Sequence, residues 1–351
     1  MIREVSKERL SSFSDYDNHE SVYSFYDEGI GLKGFVAVHS TRLGPATGGT
    51  RYWTYASEDD ALRDALRLSR AMTYKCGVSG VPHGGGKAVI MRDPAHRKNP
   101  SMMARYGEYI NELNGRFTTG EDVGITEGDI VAMAGVSPYI NGLPHGAGDP
   151  SPWASRSVRV CLEEALRSFG VAPFDGVSVS IKGVGKVGAE LARSLAGSGA
   201  TLVVSDIDTE ALESLRRTLP DIRVVSPDIS HKELVHVYAP CALGGEFTHG
   251  TIPEVIPPIV CGAANNQLAD SSMGARLHAR GILYIPDYLA NAGGLINVVD
   301  ALRPGGYSRD RVEENINKLA VTLRELIVRS NEQEIPLSVA VDTFVEERLR
   351  D

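Results

Sequence analysis

Two lysines and one aspartate stand where their side chains could carry out chemistry. Lys75 ends the mostly apolar segment AMTYK, so its amine shares a helix face with Met72, three positions earlier. Lys87 follows three glycines in HGGGK, where backbone without side chains leaves room for a ligand, and Asp122 lies in the glycine-flanked segment TTGEDVG. A carboxylate beside two amines gives them unequal environments, so that one stays charged while the other acts as a base. A solvated surface position is the alternative for each lysine taken alone.

A glycine motif further along the chain has the spacing of a dinucleotide-binding turn. It consists of Gly183, Val184, Gly185, Lys186, Val187 and Gly188. These glycines permit a tight turn, the approach of a pyrophosphate to a helix N-terminus, and close packing of helix on strand. Asp206 ends the next predicted strand, where an acid accepts from a ribose 2′-hydroxyl and repels a 2′-phosphate, which favours NAD over NADP. The alternatives are a glycine turn without a ligand, and Asp206 as a helix cap or surface acid.

The predicted elements that position these residues follow two different patterns. The first part of the chain mixes strands at 21–26, 34–39 and 88–91 with a helix from Ser57 to about Lys75 and a helix at 101–114. From about residue 157, short apolar strands alternate with helical segments. The strands are 177–182, 201–205, 222–225, 235–239, 258–261 and 281–285, and the flanking helices are 157–168, 309–329 and 336–350. This alternation predicts a doubly wound parallel sheet of the Rossmann type.

Composition narrows the class of protein. The chain has 351 residues, enough for about two domains at roughly 150 residues each. A net charge of −9 argues against nucleic-acid binding, and no apolar run approaches the ~20 residues of a membrane span. The N-terminus lacks the apolar region of a secretory signal. Four widely spaced cysteines without a CxxC pair argue against a metal site or a disulfide scaffold and favour the cytoplasm.

Eight ordered blocks between about residues 20 and 300 carry a resemblance to a known family. The blocks are GPATGGTRYWTY, ALRLSRAMTYK, GGGKAVI, TGEDVG, GVGKVG, APCALGG, GAANNQL and PDYLANAGGLINV. Together they resemble the leucine/phenylalanine/valine dehydrogenases of the glutamate dehydrogenase superfamily. The resemblance implies oxidative deamination of an L-amino acid to a 2-oxo acid and ammonia, with NAD as hydride acceptor and a homo-oligomer as the working assembly.

Combined with the element pattern, the resemblance implies a two-domain α/β protein with the active site in the cleft between the domains. Residues 1–142 form an α/β substrate, catalytic and oligomerisation domain with a mixed sheet. Residues 143–329 form the doubly wound NAD-binding domain, and a C-terminal helix at about 330–351 is expected to pack back on the first domain.

The resemblance also implies roles for individual residues. Lys87 is the general base that activates water, Lys75 holds the substrate carboxylate with help from Asn265, and Asp122 handles protons at the substrate amine. The implied substrate site further includes Thr47, Gly48, Gly49, Met72 and Leu295. The implied cofactor site adds Ala239, Cys241, Asn265 and Asn291 to the glycine motif and Asp206.

Two features bear on the substrate. Glutamate-using relatives carry a lysine where this chain has Thr47, so glutamate is disfavoured. The small residues Thr47 and Gly120 favour a large apolar or aromatic substrate, of the phenylalanine, tryptophan or leucine/valine type, whereas Leu295 argues for a smaller one.

One segment departs from the family pattern. Trp153, Ala154 and Ser155 stand where the family has a threonine whose hydroxyl helps to hold the nicotinamide carboxamide. Ser155 or Ser157 could replace that hydroxyl if the helix start is shifted. The departure keeps two alternatives open: a biosynthetic enzyme that reduces an imine or aminates a non-standard 2-oxo acid, and a non-catalytic NAD-binding paralogue.

Overall fold

The computed structural model describes residues 1–142, 147–303 and 305–350, over which the chain forms two compact α/β units. The first unit comprises Met1–Gly148 with Val298–Tyr307, and the second comprises Asp149–Asn297 with Ser308–Arg350. The boundary expected between residues 142 and 143 adjoins 143–146, which lie outside the described residues. Among the helices of the described part, none combines the length and apolar character needed to span a bilayer.

The first unit is built on a mixed six-stranded sheet. Its strands are β1 (Ile2–Glu4), β2 (Ser21–Asp27), β3 (Leu32–Ser40), β4 (Ala46–Trp53), β5 (Gly84–Met91) and β6 (Phe117–Gly120). They lie in the order β1-β2-β3-β5-β4-β6. The first three strands and β5 pair antiparallel, whereas β4 is parallel to both β5 and β6. Because β4, β5 and β6 point the same way, their carboxyl ends meet at one edge of the sheet.

Helices cover both faces of this sheet. They are α1 (Lys7–Leu10), α2 (Glu58–Ser79), α3 (Pro100–Glu112) and α4 (Glu127–Ala134). The apolar stripe of α2, including Leu62 and Leu66, packs on one face against Phe35 and Val89. The other face is buried by α3 and α4. The predicted start of α2 is confirmed, because the Ser57 hydroxyl accepts from the first-turn backbone of the helix.

The second unit confirms the predicted doubly wound sheet. Its strands are β7 (Ser178–Lys182), β8 (Thr201–Ser205), β9 (Arg223–Val224), β10 (Val237–Pro240), β11 (Ile259–Val260) and β12 (Leu283–Tyr284). They are parallel throughout, in the order β12-β11-β10-β7-β8-β9. The chain leaves β7 toward one side and β10 toward the other, so the crevice between their carboxyl ends is the place where such sheets bind ligands.

The helices of the second unit pack on its sheet and on one another. They are α5 (Ser151–Ser168), α6 (Lys186–Ala196), α7 (Thr209–Thr218), α8 (Ser272–Ala279), α9 (Asp287–Ala290), α11 (Arg309–Glu332) and α12 (Leu337–Arg350). A further helix, α10 (Gly293–Asp300), begins in the second unit and ends in the first, which the chain enters at Val298. The C-terminal helix, expected to return to the first domain, instead packs on α8, α11 and β12 of the second unit. This packing buries the apolar stripe of the helix, which consists of Leu337, Ala340, Val341 and Val345.

Candidate active site

Lys87 lies in the middle of β5, on the face of the sheet that α2 covers. Its strand neighbours Gly85 and Val89 both face α2. A Cβ on Gly85 would lie 2.1 Å from the amide nitrogen of Thr73 on that helix, and Val89 packs in the core beneath it. Because strand residues alternate between faces, Lys87 points the same way. It is only 7% exposed.

The ammonium of Lys87 pairs with Asp122. The Nζ–Oδ2 distance is 2.8 Å. Burial alone would raise the pKa of Asp122, but the charge of Lys87 and its hydrogen bond, together with Arg51, hold that pKa below its ordinary value. At neutral pH the carboxylate is therefore ionised and acts as an acceptor. The structure thus brings together the two residues that the sequence analysis assigned to catalysis.

A second cation, which sequence reasoning missed, holds the same carboxylate. Arg51 on β4 donates from Nε to Asp122 Oδ2 at 3.1 Å and from Nη1 to Asp64 Oδ2, on α2, at 3.0 Å. The hydroxyl of Tyr55 donates to that same oxygen of Asp64 at 2.8 Å. The sequence signal for Arg51 is its position two residues after Gly49, since residues two apart on a strand point to the same face. That signal can be used only when residues 46–53 are known to form a strand.

The paired glycines of β4 allow two close approaches. A Cβ on Gly49 would lie 2.5 Å from the carbonyl oxygen of Glu121 and 2.8 Å from Cβ of Asp122. The loop after β6 can therefore lie against β4, which places Asp122 within reach of Lys87. A Cβ on Gly48 would lie 1.9 Å from the carbonyl oxygen of Gly86, so this glycine lets the backbone of β5 come close to β4.

The remaining predicted substrate residues of the first unit lie on the same elements. Lys75 is half-buried on α2, about one turn after Met72. Thr47 on β4 is 4% exposed, and its register partner on β5 is Gly85. One helix, two adjacent strands and the loop after β6 therefore hold every substrate and catalytic residue predicted in this unit.

The glycine motif forms the turn between β7 and α6. Gly183 has a φ of +95°, and a Cβ there would lie 2.6 Å from the amide nitrogen of Ala242, in the turn after β10. A Cβ on Gly188 would lie 1.9 Å from the carbonyl oxygen of Gly183. Gly185 begins α6 without a side-chain cap, and nothing lies within 4 Å of its Cβ position. The first-turn N–H groups of α6 therefore fit the pyrophosphate of a dinucleotide.

Asp206 lies directly after β8 and is tied to this turn. Its Oδ2 accepts from the backbone N–H of Val184 at 2.6 Å, and its Oδ1 accepts from that of Asp208 at 2.9 Å. The N-cap of α7 is Asp208, so Asp206 is not that helix's cap. Each oxygen of Asp206 retains a further lone pair for a ribose hydroxyl. Lys186 and Val187, the other motif residues, open α6.

The other predicted cofactor residues follow the strands on the far side of the switch point. Ala239 is buried in β10. In the turn that follows, the backbone N–H of Cys241 donates to the carbonyl oxygen of Lys182, at the end of β7, at 2.7 Å. Burial raises the pKa of the Cys241 thiol to about 11, so the thiol stays protonated. Asn265 and Asn291, in the segments after β11 and β12, are joined by an amide hydrogen bond of 2.8 Å. All four residues therefore lie at the carboxyl edge of the sheet, the edge that also carries the glycine turn.

The segment that departs from the family pattern uses its serine hydroxyl within the protein. Ser157 donates to the carbonyl of Ala290 at 2.7 Å and accepts from the N–H of Gly293 at 2.9 Å. Ser155 is 2% exposed. The hydroxyl of Ser157 is thus committed to the turn between α9 and α10, while Leu295 is half-buried on α10.

Metal-ligating side chains do not cluster in the described part of the chain. Within residues 1–142, 147–303 and 305–350, no three His, Cys, Asp or Glu side chains lie close enough together to hold an ion. The cysteines are unpaired thiols, and burial raises the pKa of Cys76 to about 12.

Replacing Gly188 by alanine is expected to weaken dinucleotide binding by about 5- to 100-fold, because the new Cβ forces α6 away from the turn at an overpacking cost of about 1–3 kcal/mol. Titration of protein fluorescence with NADH measures the change. Gly197→Ala is the matched control, since its Cβ would lie 3.3 Å from the nearest atom, at the other end of α6. Equal loss in both variants would contradict the role of Gly188.

Two family profiles match consecutive parts of the chain. Residues 19–138 match the profile described as Glu/Leu/Phe/Val dehydrogenase, dimerisation domain. Residues 148–334 match the profile described as Glutamate/Leucine/Phenylalanine/Valine dehydrogenase. These matches confirm the resemblance inferred from the sequence blocks.

Relatives of known name match almost the whole chain. Leucine dehydrogenase from Bacillus subtilis is 40% identical over 346 residues, covering 97% of this chain and 94% of that protein. Valine dehydrogenase from Streptomyces coelicolor is 40% identical over 348 residues, covering 96% and 94%. The crystal structure of L-tryptophan dehydrogenase from Nostoc punctiforme is 37% identical with a TM-score of 0.84, covering 95% and 96% of the two chains. The chain therefore belongs to the Glu/Leu/Phe/Val dehydrogenase family.

Proposed function

We propose that the protein catalyses the NAD-dependent, reversible oxidative deamination of an apolar or aromatic L-amino acid to the 2-oxo acid and ammonia. The observation that carries the proposal is the ion pair between Lys87 and Asp122, with Lys87 buried on the sheet face beneath α2. Replacing a buried ion pair with apolar residues is often neutral or stabilising, so a protein with no use for the pair gains little from keeping it. The pair therefore argues against a non-catalytic NAD-binding paralogue.

Lys87 and Asp122 can perform the proton transfers that the reaction needs. When bound, the nicotinamide supplies the acceptor for the hydride that leaves Cα. The resulting iminium carbon is attacked by water, and Lys87, after passing its own proton to Asp122, removes a proton from that water as the C–O bond forms. The carbinolamine then collapses to the 2-oxo acid: its nitrogen gains the proton that its hydroxyl loses, through Asp122, and the C–N bond breaks to release ammonia.

We assign the substrate carboxylate to Lys75. Its position on α2, about one turn after Met72, places a second amine on the helix that covers Lys87. Thr47, buried on β4, offers a hydroxyl and no charge, so a substrate with a side-chain carboxylate would bury that charge without a partner. An apolar or aromatic side chain avoids this penalty, consistent with relatives named for leucine, valine and tryptophan.

The cofactor is a nicotinamide dinucleotide, and we propose NAD rather than NADP. The support comes from Asp206, whose carboxylate is anchored to the glycine turn by the N–H of Val184. A fixed negative charge at this position accepts from a ribose 2′-hydroxyl and repels a 2′-phosphate.

We further propose a homo-oligomer that works in the cytoplasm. The profile matched by residues 19–138 is described as a dimerisation domain, which supports self-association. The unpaired cysteines are consistent with a reducing compartment.

A panel of 2-oxo acids, supplied with ammonium and either NADH or NADPH, tests the proposal. We expect NADH consumption with the oxo acids of leucine, valine, phenylalanine or tryptophan, and a kcat/KM at least about 100-fold lower for 2-oxoglutarate, because its second carboxylate lacks a partner. NADPH should be the poorer reductant. Absorbance at the nicotinamide band measures both preferences.

Two results would contradict the proposal. Turnover confined to oxo acids with no proteinogenic counterpart would favour the biosynthetic alternative. The structural observation behind that alternative is that the Ser157 hydroxyl bonds to backbone groups of Ala290 and Gly293. NADH binding without turnover of any oxo acid would favour the non-catalytic paralogue.

A further inference from the structure

We propose that Arg51 is a positioning residue for this reaction, anchored by Asp64, and that it fixes Asp122 so that one carboxylate oxygen is left to accept from the substrate amine. The inference rests on the proposed function, because the substrate has an amine only if it is an amino acid. The positioning itself rests on contacts within the first unit.

Two cations share one oxygen of Asp122. Lys87 Nζ lies 2.8 Å from Oδ2, and Arg51 Nε donates to the same atom at 3.1 Å. Among the hydrogen bonds of the described residues, those to the Asp122 side chain reach Oδ2 and none reaches Oδ1. Donors from two different strands hold Oδ2, so the carboxylate cannot rotate freely and the direction of Oδ1 is set.

Arg51 is itself held in place by a carboxylate of α2. Its Nη1 donates to Asp64 Oδ2 at 3.0 Å, while the side chains of Arg51 and Asp64 are 21% and 12% exposed. A guanidinium presents donors along a rigid planar fork and can bind two carboxylates at once. A lysine ammonium, as a point charge on a flexible stem, cannot reproduce that geometry.

Asp64 links Arg51 to the helix that carries two of the predicted substrate residues. Asp64 lies on α2, the helix that carries Met72 and Lys75. It also accepts from the Tyr55 hydroxyl at 2.8 Å and pairs with Arg67 at 3.2 Å. Asp64 and Arg51 therefore connect the residue assigned to the substrate carboxylate with the residue assigned to the substrate amine.

The electrostatic consequence has a defined sign. Lys87 from β5 and Arg51 from β4 face Asp122; Asp64 and Tyr55 face Arg51 in turn. Both cations lower the pKa of Asp122, so removing the charge of Arg51 raises that pKa. The carboxylate then protonates at a higher pH, and the acidic limb of the kcat/KM profile moves toward neutrality.

The kinetic test compares Arg51→Met, Arg51→Lys and Asp64→Asn with the wild type. For Arg51→Met we expect kcat/KM to fall about 10- to 100-fold, from misplacement of the carboxylate, with the acidic limb shifted to higher pH. Arg51→Lys should restore the limb in part but not the rate. Asp64→Asn should lower the rate while Arg51 keeps its charge. The control is Arg63→Met, an arginine of α2 that is 51% exposed and pairs with Asp60.

A crystal structure of Arg51→Met supplies a readout that does not depend on turnover. We expect the Asp122 carboxylate to leave the position in which Oδ2 meets Lys87. An unmoved carboxylate, or rate losses in the variants with an unchanged acidic limb, would overturn the positioning role. If Arg51→Met does not fold, the structure of Arg51→Lys and the rate of Asp64→Asn decide the same question. A wild type that turns over no amino acid, together with a displaced carboxylate in the variant, would reject the proposed function and leave the positioning role standing.

Discussion

Replacing Lys87 by alanine is expected to lower kcat by about 100- to 10,000-fold, the usual contribution of a general base. The variant removes the amine that takes the proton of the attacking water, and it leaves Asp122 without one of its two cations. NADH binding should stay within a few-fold of wild type, because the glycine turn belongs to the second unit. Steady-state kinetics and a fluorescence titration with NADH measure the two quantities separately.

Lys318→Ala is the control for a lysine that has no place in the site. Its side chain is 66% exposed and pairs along α11 with Glu314. We expect its kcat to match wild type. Activity of Lys87→Ala close to that of this control would remove Lys87 from the chemistry, whereas parallel loss of turnover and NADH binding would indicate a folding defect.

Asp122→Asn is expected to lower kcat by about 100-fold or more and to destabilise the protein by about 1–3 kcal/mol at pH 7. The amide keeps the size of the side chain, but it cannot relay a proton and leaves Lys87 and Arg51 without their shared anion. The folded pKa of Asp122 is lowered, so its stabilisation is present above the unfolded pKa of about 3.9 and is lost as pH falls through the folded value.

The difference in unfolding free energy between wild type and Asp122→Asn should therefore be full at pH 7 and shrink in strong acid. Denaturant titrations at several pH values measure it. Asp59→Asn is the control, because that carboxylate is 63% exposed and its pair with Arg9 lies at the surface. A pH-independent difference, or an Asp122→Asn variant as stable and as active as Asp59→Asn, would refute the assigned ion pair.

The strand β4 of the first unit could not be predicted from the sequence, because its local composition indicates a turn. Residues 44–49 contain three glycines and a proline in GPATGG, a composition that typically marks a turn. In the structure, this segment leads into β4, which is held by parallel partners on both sides. Those partners lie about 40 to 70 positions further along the chain, so no local pattern reveals the strand. Without β4, the sequence does not show that Arg51 binds Asp122 and Asp64.

The amino-acid sequence by itself determined the family, the alternating strands of the second unit and the glycine turn. These features depend on short-range rules: apolar runs of strand length, a glycine wherever the backbone turns or packs closely, and an acid at the end of the following strand. It also identified Lys87 and Asp122 as residues able to do chemistry.

Only the tertiary structure decided which of these residues meet. It joined Lys87, Asp122 and Arg51 from two strands and a loop, assigned the C-terminal helix to the second unit, and committed the hydroxyl of Ser157 to a backbone turn. Each is a contact between distant parts of the chain, made when buried polar groups find partners and apolar stripes find surfaces. Such contacts follow from the packing of whole elements, which local residue patterns do not encode.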